Sequence, residues 1–166
     1  EYRVIVAGNL IPEKSGYIYE LPDGILYNLY GVGFENINDN LCYKGAFSPE
    51  QLPFELEGEF GLVWDGPSIN TCEGIYGNYL KVNNPHKTSL YLASGIPVII
   101  WRKAALADLI EKNGIGITVD SLYDLKEKLD SITVDEYIEM VKRTKSFSVK
   151  LRSGFYTKKA FNLLWL

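Results

Sequence analysis

Short apolar segments alternate with longer amphipathic ones along this chain, and this alternation limits the possible folds more than any other feature of the sequence. Several of the short segments are nearly continuous in hydrophobic residues, as expected of strands covered on both faces. The predicted strands are Arg3–Gly8, Ile25–Tyr30, Leu41–Lys44, Phe60–Trp64, Pro97–Trp101 and Ile115–Val119. Because helical patterns separate them, we predict an α/β domain with a parallel sheet between layers of helices.

Helical spacing and capping signals predict the helices. Ser48-Pro49-Glu50-Gln51 has the form of a capping box, and Gly95 follows one helix as a stop. The predicted helices are Ser48–Leu52, Pro85–Ser94, Ala104–Asn113, Ser121–Leu129, Val134–Ser146 and a last one from about Gly154 to Leu166. Glycines and a proline interrupt any periodicity between Asp65 and Asn84, so this segment is predicted to be a ligand loop between a strand and a helix.

Composition excludes several classes of protein. The formal charge of −4 argues against a general nucleic-acid binder, and the sequence has no run of apolar residues long enough for a membrane span. Cys42 and Cys72 are expected to be buried and unpaired, as in the reducing cytoplasm. His86 is the only histidine, so no metal cluster of the usual His/Cys kind is expected.

The segment Asn84-Pro85-His86-Lys87-Thr88 carries the strongest functional signal. Asn84 is predicted to cap a helix that has Pro85 in its first position, so that the next three amides point out of the helix start, where the helix dipole favours an anion. Lys87 adds a full positive charge, and His86 and Thr88 add side-chain donors. The segment therefore predicts a phosphate site, with a well-capped helix and an exposed lysine as the simpler alternative.

Two strand ends provide further candidates. Gly8 and Asn9 follow the first strand, where a small residue permits close approach of a ligand to the backbone. Tyr30 and Gly31 close the second strand, and the Tyr30 ring is a candidate for stacking on a base. A plain turn and an ordinary core tyrosine remain the alternatives at these positions. Asp65, at the end of the fourth strand, is interpreted either as a turn residue or as a ligand to a hydroxyl.

The absence of several motifs narrows the range of enzyme classes to which this chain can belong. No Asp-x-Asp occurs, so a metal-chelated diphosphate is not indicated, and no Walker loop or nucleophile elbow is present. A nucleotide-sugar epimerase would need Gly-x-Gly-x-x-Gly and a Tyr-x-x-x-Lys pair, and both are absent.

The run from Asn83 to Ile99, preceded by Phe60-Gly61-Leu62-Val63-Trp64-Asp65-Gly66, resembles a bacterial group of GT-B sugar transferases. The group comprises β-1,6-galactofuranosyltransferases and the glucosyltransferases that extend O-linked N-acetylglucosamine on serine-rich-repeat adhesins, and the second subgroup looks the closer one. The resemblance implies a Rossmann-like, three-layer domain that forms the C-terminal half of such an enzyme and binds a UDP-sugar. The acceptor, a glycan or glycoprotein, would then bind to an N-terminal domain that this chain lacks.

The resemblance also assigns residues. It implies that Asn84, His86, Lys87 and Thr88 contact the diphosphate and that Tyr30 and Gly31 lie near the nucleoside. Gly8 and Asn9 would face the cleft. No acidic residue lies between Glu73 and Asp108, so the group that holds the ribose is unassigned, with Asp65 and Glu73 as guesses.

The resemblance further implies two parts and a mechanism. Residues 1–150 would form the nucleotide-sugar domain, and the apolar helix in residues 151–166 would cross to the missing domain or join a second copy, most simply in a symmetric dimer. The implied reaction is metal-independent hexosyl transfer in the cytoplasm, with no cofactor besides the donor and no activity of this half alone. A non-catalytic binding or oligomerisation module of the same fold is the alternative.

Overall fold

The computed structural model describes residues 2–34 and 40–164, with side chains as far as Asn162. Its centre is a sheet of six parallel strands in the order β3-β2-β1-β4-β5-β6. The strands are β1 (Arg3–Asn9), β2 (Leu26–Val32), β3 (Leu41–Gly45), β4 (Phe60–Val63), β5 (Val98–Trp101) and β6 (Gly116–Val119). This is the strand order of a Rossmann-like domain, so the predicted fold class is confirmed.

All six predicted strands are present, with ends that differ by one or two residues. The central strands are buried on both faces: β4 and β5 have no exposed residue, and Val4 to Ala7 of β1 are at most 2% exposed. Continuous hydrophobic sequence is what a strand between two helical layers requires, and this is why the prediction succeeds here.

The central strands β1 and β4 diverge. β1 pairs with β2 along its whole length, whereas its register with β4 covers only Val4 and Ile5. Beyond that point the Tyr91 hydroxyl replaces the missing strand partner, accepting a hydrogen bond from the Ala7 amide at 2.8 Å. The Tyr91 ring lies over Gly61, where a Cβ would come within 2.2 Å of the ring. Gly61 therefore makes room for a side chain that fills the gap between the strands.

Eight α-helices occur in the described residues. They are α1 (Pro12–Ser15), α2 (Leu52–Glu55), α3 (Gly74–Tyr79), α4 (His86–Ala93), α5 (Ala107–Asn113), α6 (Leu125–Asp130), α7 (Val134–Arg152) and α8 (Phe155–Leu164), with a 3₁₀ segment at Gly16–Glu20. The sequence predicts neither α1 nor α3, and α7 runs six residues past the predicted end at Ser146. It begins at a true capping box formed by Thr133 and Glu136.

Two predicted helix starts are wrong in detail. α4 begins at His86 with Pro85 as its N-cap, and Asn84 makes no capping hydrogen bond because it lies one residue too early. Ser48 does not cap α2 either. Its hydroxyl accepts from the Gln51 amide at 3.4 Å within a turn, and the helix proper starts at Leu52.

The C-terminal segment contains the end of α7 and the whole of α8. α7 continues as one helix through Arg152, and the chain turns at Gly154, where φ is +69°. Tyr156 of α8 packs on Phe147 of α7, with ring centroids 5.3 Å apart. Ala160 and Phe161 of this apolar helix are exposed, while Trp165, Leu166 and the side chain of Leu164 lie outside what the structure describes.

The two cysteines have different environments. Cys72 is buried as expected, but Cys42 is exposed, because it lies on β3 at the edge of the sheet. Both thiols are free, as predicted.

Candidate functional site

The strand order reverses between β1 and β4, and this reversal defines the main crevice. In parallel α/β sheets, ligands bind outside the carboxyl ends of the strands at such a point. Here β1 ends at Gly8 and Asn9, β4 leads into Trp64 and Asp65, and α4 starts directly beside them. The divergence of β1 from β4 widens the crevice that the topology creates.

Two adjoining depressions occupy this crevice and share Ala7, Gly8, His86 and Lys87 as lining residues. One, the polar depression, has a volume of about 280 Å³ and is lined by most of the charged and polar side chains of the crevice; its other lining residues are Lys14, Asp65, Tyr76, Tyr79, Asn83 and Pro85. The second has a volume of about 440 Å³ and is mostly apolar, with Phe47, Pro49, Leu52 and Leu90 as its other lining residues. The crevice thus offers a polar and an apolar compartment on either side of the start of α4.

Lys87 is held by a buried ion pair. Its Nζ donates to Asp65 Oδ1 at 2.7 Å and to the Trp64 carbonyl at 3.0 Å. The side chains of Lys87 and Asp65 are only 9% and 7% exposed. Two of the three ammonium donors are therefore used to fix Nζ at the end of β4, and one remains for a ligand. Asp65 thus forms the ion pair that positions Lys87, a structural role different from the ribose contact guessed from the sequence.

The other residues of the predicted phosphate segment divide between two sides of α4. His86 is exposed and lines both depressions. Asn84 and Thr88 instead line a separate cavity of about 240 Å³ among α4, α5, α7 and α8. Thr88 is 1% exposed, its amide donates to the Pro85 carbonyl, and its hydroxyl has no partner in the described structure. The structure thus places His86 and Lys87 in the crevice and the side chains of Asn84 and Thr88 away from it.

Gly8 and Gly31 lie side by side at the ends of β1 and β2. Both have positive φ, +140° at Gly8 and +146° at Gly31. A Cβ on Gly31 would lie 1.7 Å from the Gly8 carbonyl oxygen, whereas a Cβ on Gly8 would meet no atom within 4 Å. Gly31 is therefore required by packing, and Gly8 exposes its backbone to the crevice. Asn9 stabilises the turn that follows, because its Oδ1 accepts from the Ile11 amide at 3.3 Å.

The ring of Tyr30 is buried in this structure and is not accessible for stacking on a base. It is 1% exposed, and its hydroxyl accepts a hydrogen bond from the Glu57 amide at 2.9 Å. Its position on β2 points the ring toward the helical layer, where it contacts Phe47. Phe47 is the aromatic ring that reaches the apolar depression.

Several crevice residues carry no strong sequence signal. Phe47 precedes a turn, and Tyr76 and Tyr79 belong to α3, which the sequence does not predict. Lys14 lies at the end of α1 with its ammonium 5.6 Å from the centre of the Tyr76 ring. The Lys14 carbonyl accepts from the Gly66 amide at 2.7 Å, and this bond holds Lys14 beside the loop that follows β4.

The groups beneath the crevice are neutral. Burial raises the pKa of Tyr17, of Tyr91 and of the Cys72 thiol above their ordinary values. All three therefore remain protonated and uncharged near neutral pH.

The position of Thr88 leads to a stability prediction. Replacing Thr88 with valine should leave the free energy of unfolding unchanged or raise it by about 1 kcal/mol, because a buried hydroxyl without a partner is removed. Thr144→Val is the matched control: the Thr144 hydroxyl is buried and donates to the Met140 carbonyl at 2.8 Å, so its loss should be destabilising. Urea denaturation compares the two variants. A larger loss for Thr88→Val than for Thr144→Val would mean that Thr88 has a partner.

Two absences among the described residues bear on the site. No group of three or more His, Cys, Asp or Glu side chains among them is arranged to hold a metal ion. No helix in residues 2–34 and 40–164 is both long and apolar enough to cross a membrane.

The fold and the crevice define a Rossmann-like domain of the kind that forms half of a GT-B glycosyltransferase. One solved structure of that class, the glycosyltransferase AviGT4 involved in avilamycin A biosynthesis, aligns with 99% of this chain and 52% of its own, at a TM-score of 0.58 and 16% identity. The chain belongs to the family described as "Glucosyltransferase 3-like, C-terminal domain", whose model matches residues 4–164.

Curated relatives carry two kinds of name. The chain is 49% identical over 157 residues to the β-1,6-galactofuranosyltransferase WbbI of Escherichia coli (strain K12), a match that covers 92% of this chain and 46% of the relative. It is 39% and 34% identical to Glucosyltransferase 3 of Streptococcus gordonii and Streptococcus parasanguinis, covering 75% and 89% of this chain. The matches cover 46%, 36% and 43% of the relatives, so this chain spans less than half of their length. Among these three the galactofuranosyltransferase has the higher identity, which corrects the expectation that the glucosyltransferases are closer.

Proposed function

We propose that this chain forms the donor site of a hexosyltransferase and binds a UDP-sugar in the crevice between β1 and β4. The observation that carries the proposal is Lys87, a cation fixed at the start of α4 where the strand order reverses. An anionic ligand at this point meets the helix dipole, free amides and a positioned ammonium group together.

The polar depression suits a diphosphate. Lys14 and His86 line it beside Lys87, and of the two lysines Asp65 pairs only with Lys87. With protein cations and helix amides available, the diphosphate needs no metal ion, so we propose metal-independent binding and transfer. The same groups would stabilise the negative charge that develops on UDP as the sugar leaves, since fixed dipoles act strongly in a site that excludes water.

The apolar depression suits the nucleoside. Phe47, Pro49, Leu52 and Leu90 offer an apolar surface next to His86, which lines the polar depression as well. Phe47 takes the stacking role that the sequence assigns to Tyr30. Gly8 and Gly31 would contribute backbone, since neither has a side chain to block the ligand.

The transferred sugar is proposed from the relatives. Glucose fits the family description and two of the named relatives, with an O-GlcNAc-modified adhesin or another glycan as acceptor. Galactofuranose is the second candidate, and the higher identity to WbbI favours it. We propose that the reaction takes place in the cytoplasm. The acceptor would bind to a separate domain, and any general base would be a residue of that domain, so that this half alone is inactive.

The proposal predicts binding of UDP to this chain alone. UDP should bind at least about tenfold more tightly than uridine, because charge-assisted hydrogen bonds to the diphosphate contribute about 1.5–3 kcal/mol each. Isothermal titration calorimetry measures both ligands, once with excess chelator and once with Mg²⁺ or Mn²⁺.

The same titrations separate the alternatives. Equal affinity for UDP and uridine would remove the diphosphate from the start of α4. A large loss of affinity on chelation would favour a metal-assisted enzyme, and no binding of either ligand would favour a non-catalytic module of this fold.

A further inference from the structure

The two depressions of the crevice suggest where each part of a UDP-sugar would lie. Gly8 and Lys87 line both depressions, and the diphosphate is proposed to bind there. Phe47 lines only the apolar depression, which would take the nucleoside. Tyr76 and Tyr79 line only the polar depression. The sugar of such a donor is joined to the diphosphate at the end opposite the nucleoside, so its expected position is in the polar depression beside these tyrosines.

The two tyrosine rings share one face of α3 and are open to a ligand. Tyr76 and Tyr79 are three residues apart, a spacing that places two side chains on the same face of a helix. They are 42% and 57% exposed, although both border the polar depression. A tyrosine ring in a ligand site offers an apolar surface and a hydroxyl together. A diphosphate gains nothing from the apolar surface, so the rings suit another part of the donor.

Packing against the end of β4 fixes the position of α3. A Cβ on Gly77 would come within 2.5 Å of the Cys72 backbone and 2.9 Å of the Asp65 carbonyl oxygen, so the helix backbone lies directly against this segment. The side chain of Asp65 also holds Lys87. The helix that carries the tyrosines and the ammonium group of Lys87 are therefore anchored to the same residue, as adjoining parts of one binding site require.

The turn after α3 brings an amide side chain to the same depression. The Tyr79 carbonyl accepts hydrogen bonds from the Val82 and Asn83 amides at 3.1 and 3.0 Å. Asn83 is half-buried in the lining of the polar depression. Its carboxamide can both donate and accept hydrogen bonds, as a sugar hydroxyl does. Aromatic rings beside a carboxamide match a hexose, which carries apolar C–H groups on the faces of its ring and hydroxyls around the rim.

We propose that Tyr76, Tyr79 and Asn83 form the subsite for the transferred hexose of the donor. The hexose would stack mainly on Tyr79, because the Lys14 ammonium already lies 5.6 Å from the centre of the Tyr76 ring. The Asn83 carboxamide would bind a hydroxyl of the sugar. This inference rests on the proposed function, since it requires the diphosphate at the start of α4. The subsite lies inside the crevice, so a separate domain that closes over it would enclose the sugar.

Calorimetry of the 166-residue chain tests the subsite with UDP, UDP-glucose and UDP-galactofuranose. The quantity compared is the affinity for each UDP-sugar divided by the affinity for UDP, and the sugar with the higher ratio is the one that should respond. Tyr79→Ala should lower this ratio roughly tenfold through loss of the aromatic contact, while affinity for UDP stays within about twofold. Tyr79→Phe keeps the ring and should leave the ratio within about twofold of the original. Asn83→Ala should lower the ratio roughly fivefold, the value of one hydrogen bond.

Tyr123→Ala is the matched control. Tyr123 is 61% exposed, close to the value for Tyr79, and it lines neither depression of the crevice. Its replacement removes a ring of the same size from the surface and should leave the ratio within about twofold of the original. Circular dichroism melting verifies that every variant is folded.

These measurements distinguish an error in the subsite from an error in the proposed function. If UDP binds no more tightly than uridine, the proposed function is wrong and the sugar subsite is wrong with it. If UDP binds as proposed but Tyr79→Ala lowers the ratio no more than Tyr123→Ala does, only the subsite is wrong, and the tyrosines face a separate domain instead of the sugar. A ratio that falls as far for Tyr79→Phe as for Tyr79→Ala would exclude stacking on the ring.

Discussion

Replacing Lys87 with methionine is expected to lower both the stability of this domain and its affinity for UDP. The substitution leaves the Asp65 carboxylate 7% exposed and without its ion-pair partner. Removing one member of a buried pair costs about 3–5 kcal/mol, which in a chain of this size lowers the melting temperature by about 10 °C. Separately, the binding free energy of UDP should weaken by about 1.5–3 kcal/mol, the value of a hydrogen bond to a charged group.

A double variant separates the two effects. Asp65→Asn/Lys87→Met removes both charges, so most of the lost stability should return, while UDP binding should stay weak because the ammonium group is still absent. Lys103→Ala, which removes an exposed lysine outside the crevice, should change neither quantity by more than about 0.5 kcal/mol. Differential scanning calorimetry and isothermal titration give the two measurements. If Lys87→Met binds UDP as the original chain does, Lys87 is a structural residue only.

Replacing Gly31 with alanine is expected to destabilise the fold more than the same change at any exposed glycine. The new Cβ would lie 1.7 Å from the Gly8 carbonyl oxygen, and backbone atoms cannot turn aside as a flexible side chain does. The residue would also keep a φ of +146°, which alanine rarely adopts. Strain and overlap each cost about 1–3 kcal/mol, so a loss of about 2–6 kcal/mol is expected in urea denaturation.

Gly8→Ala is the matched control, because it shares the strain but not the overlap. Its φ is +140°, and its Cβ would have open space around it. The expected loss is therefore only about 1–3 kcal/mol. Equal losses for the two variants would mean that the ends of β1 and β2 are farther apart in solution than in this structure.

The sequence predicts the sheet well and the loop after β4 poorly, for a physical reason. Strand interiors such as those of β4 and β5 are read directly from their continuous hydrophobic residues. α3 is missed because Gly74 and Gly77 look like helix breakers. In the structure Gly77 is required inside the helix, since a Cβ there would come within 2.5 Å of the Cys72 backbone. Tertiary packing, which local sequence does not contain, decides that position.

The site shows the same division between local and tertiary information. The position of Lys87 at a helix start follows from the neighbouring residues. Its pairing with Asp65 depends on how α4 packs against β4, across 22 residues of sequence. The burial of Tyr30 and the turning of Thr88 away from the crevice depend on the other elements in the same way. A pattern therefore marks a candidate segment, and only the packed domain shows which side chains of that segment face the crevice.

α4 joins the two strands that diverge beneath it. The Tyr91 hydroxyl accepts a hydrogen bond from the backbone of β1, and the Lys87 ammonium donates one to the carbonyl that follows β4. The helix is therefore bonded to both strands across the gap between them. The spacing of the crevice walls is thus set when the protein folds, before any ligand arrives, and little conformational entropy remains to be lost there on binding. Residues that α4 does not hold in position, such as Phe47 and Tyr76, are the ones that can adapt the crevice to different ligands. Changes at those residues can therefore alter which ligand fits the crevice, while the bonds of Tyr91 and Lys87 leave the spacing of its walls unchanged.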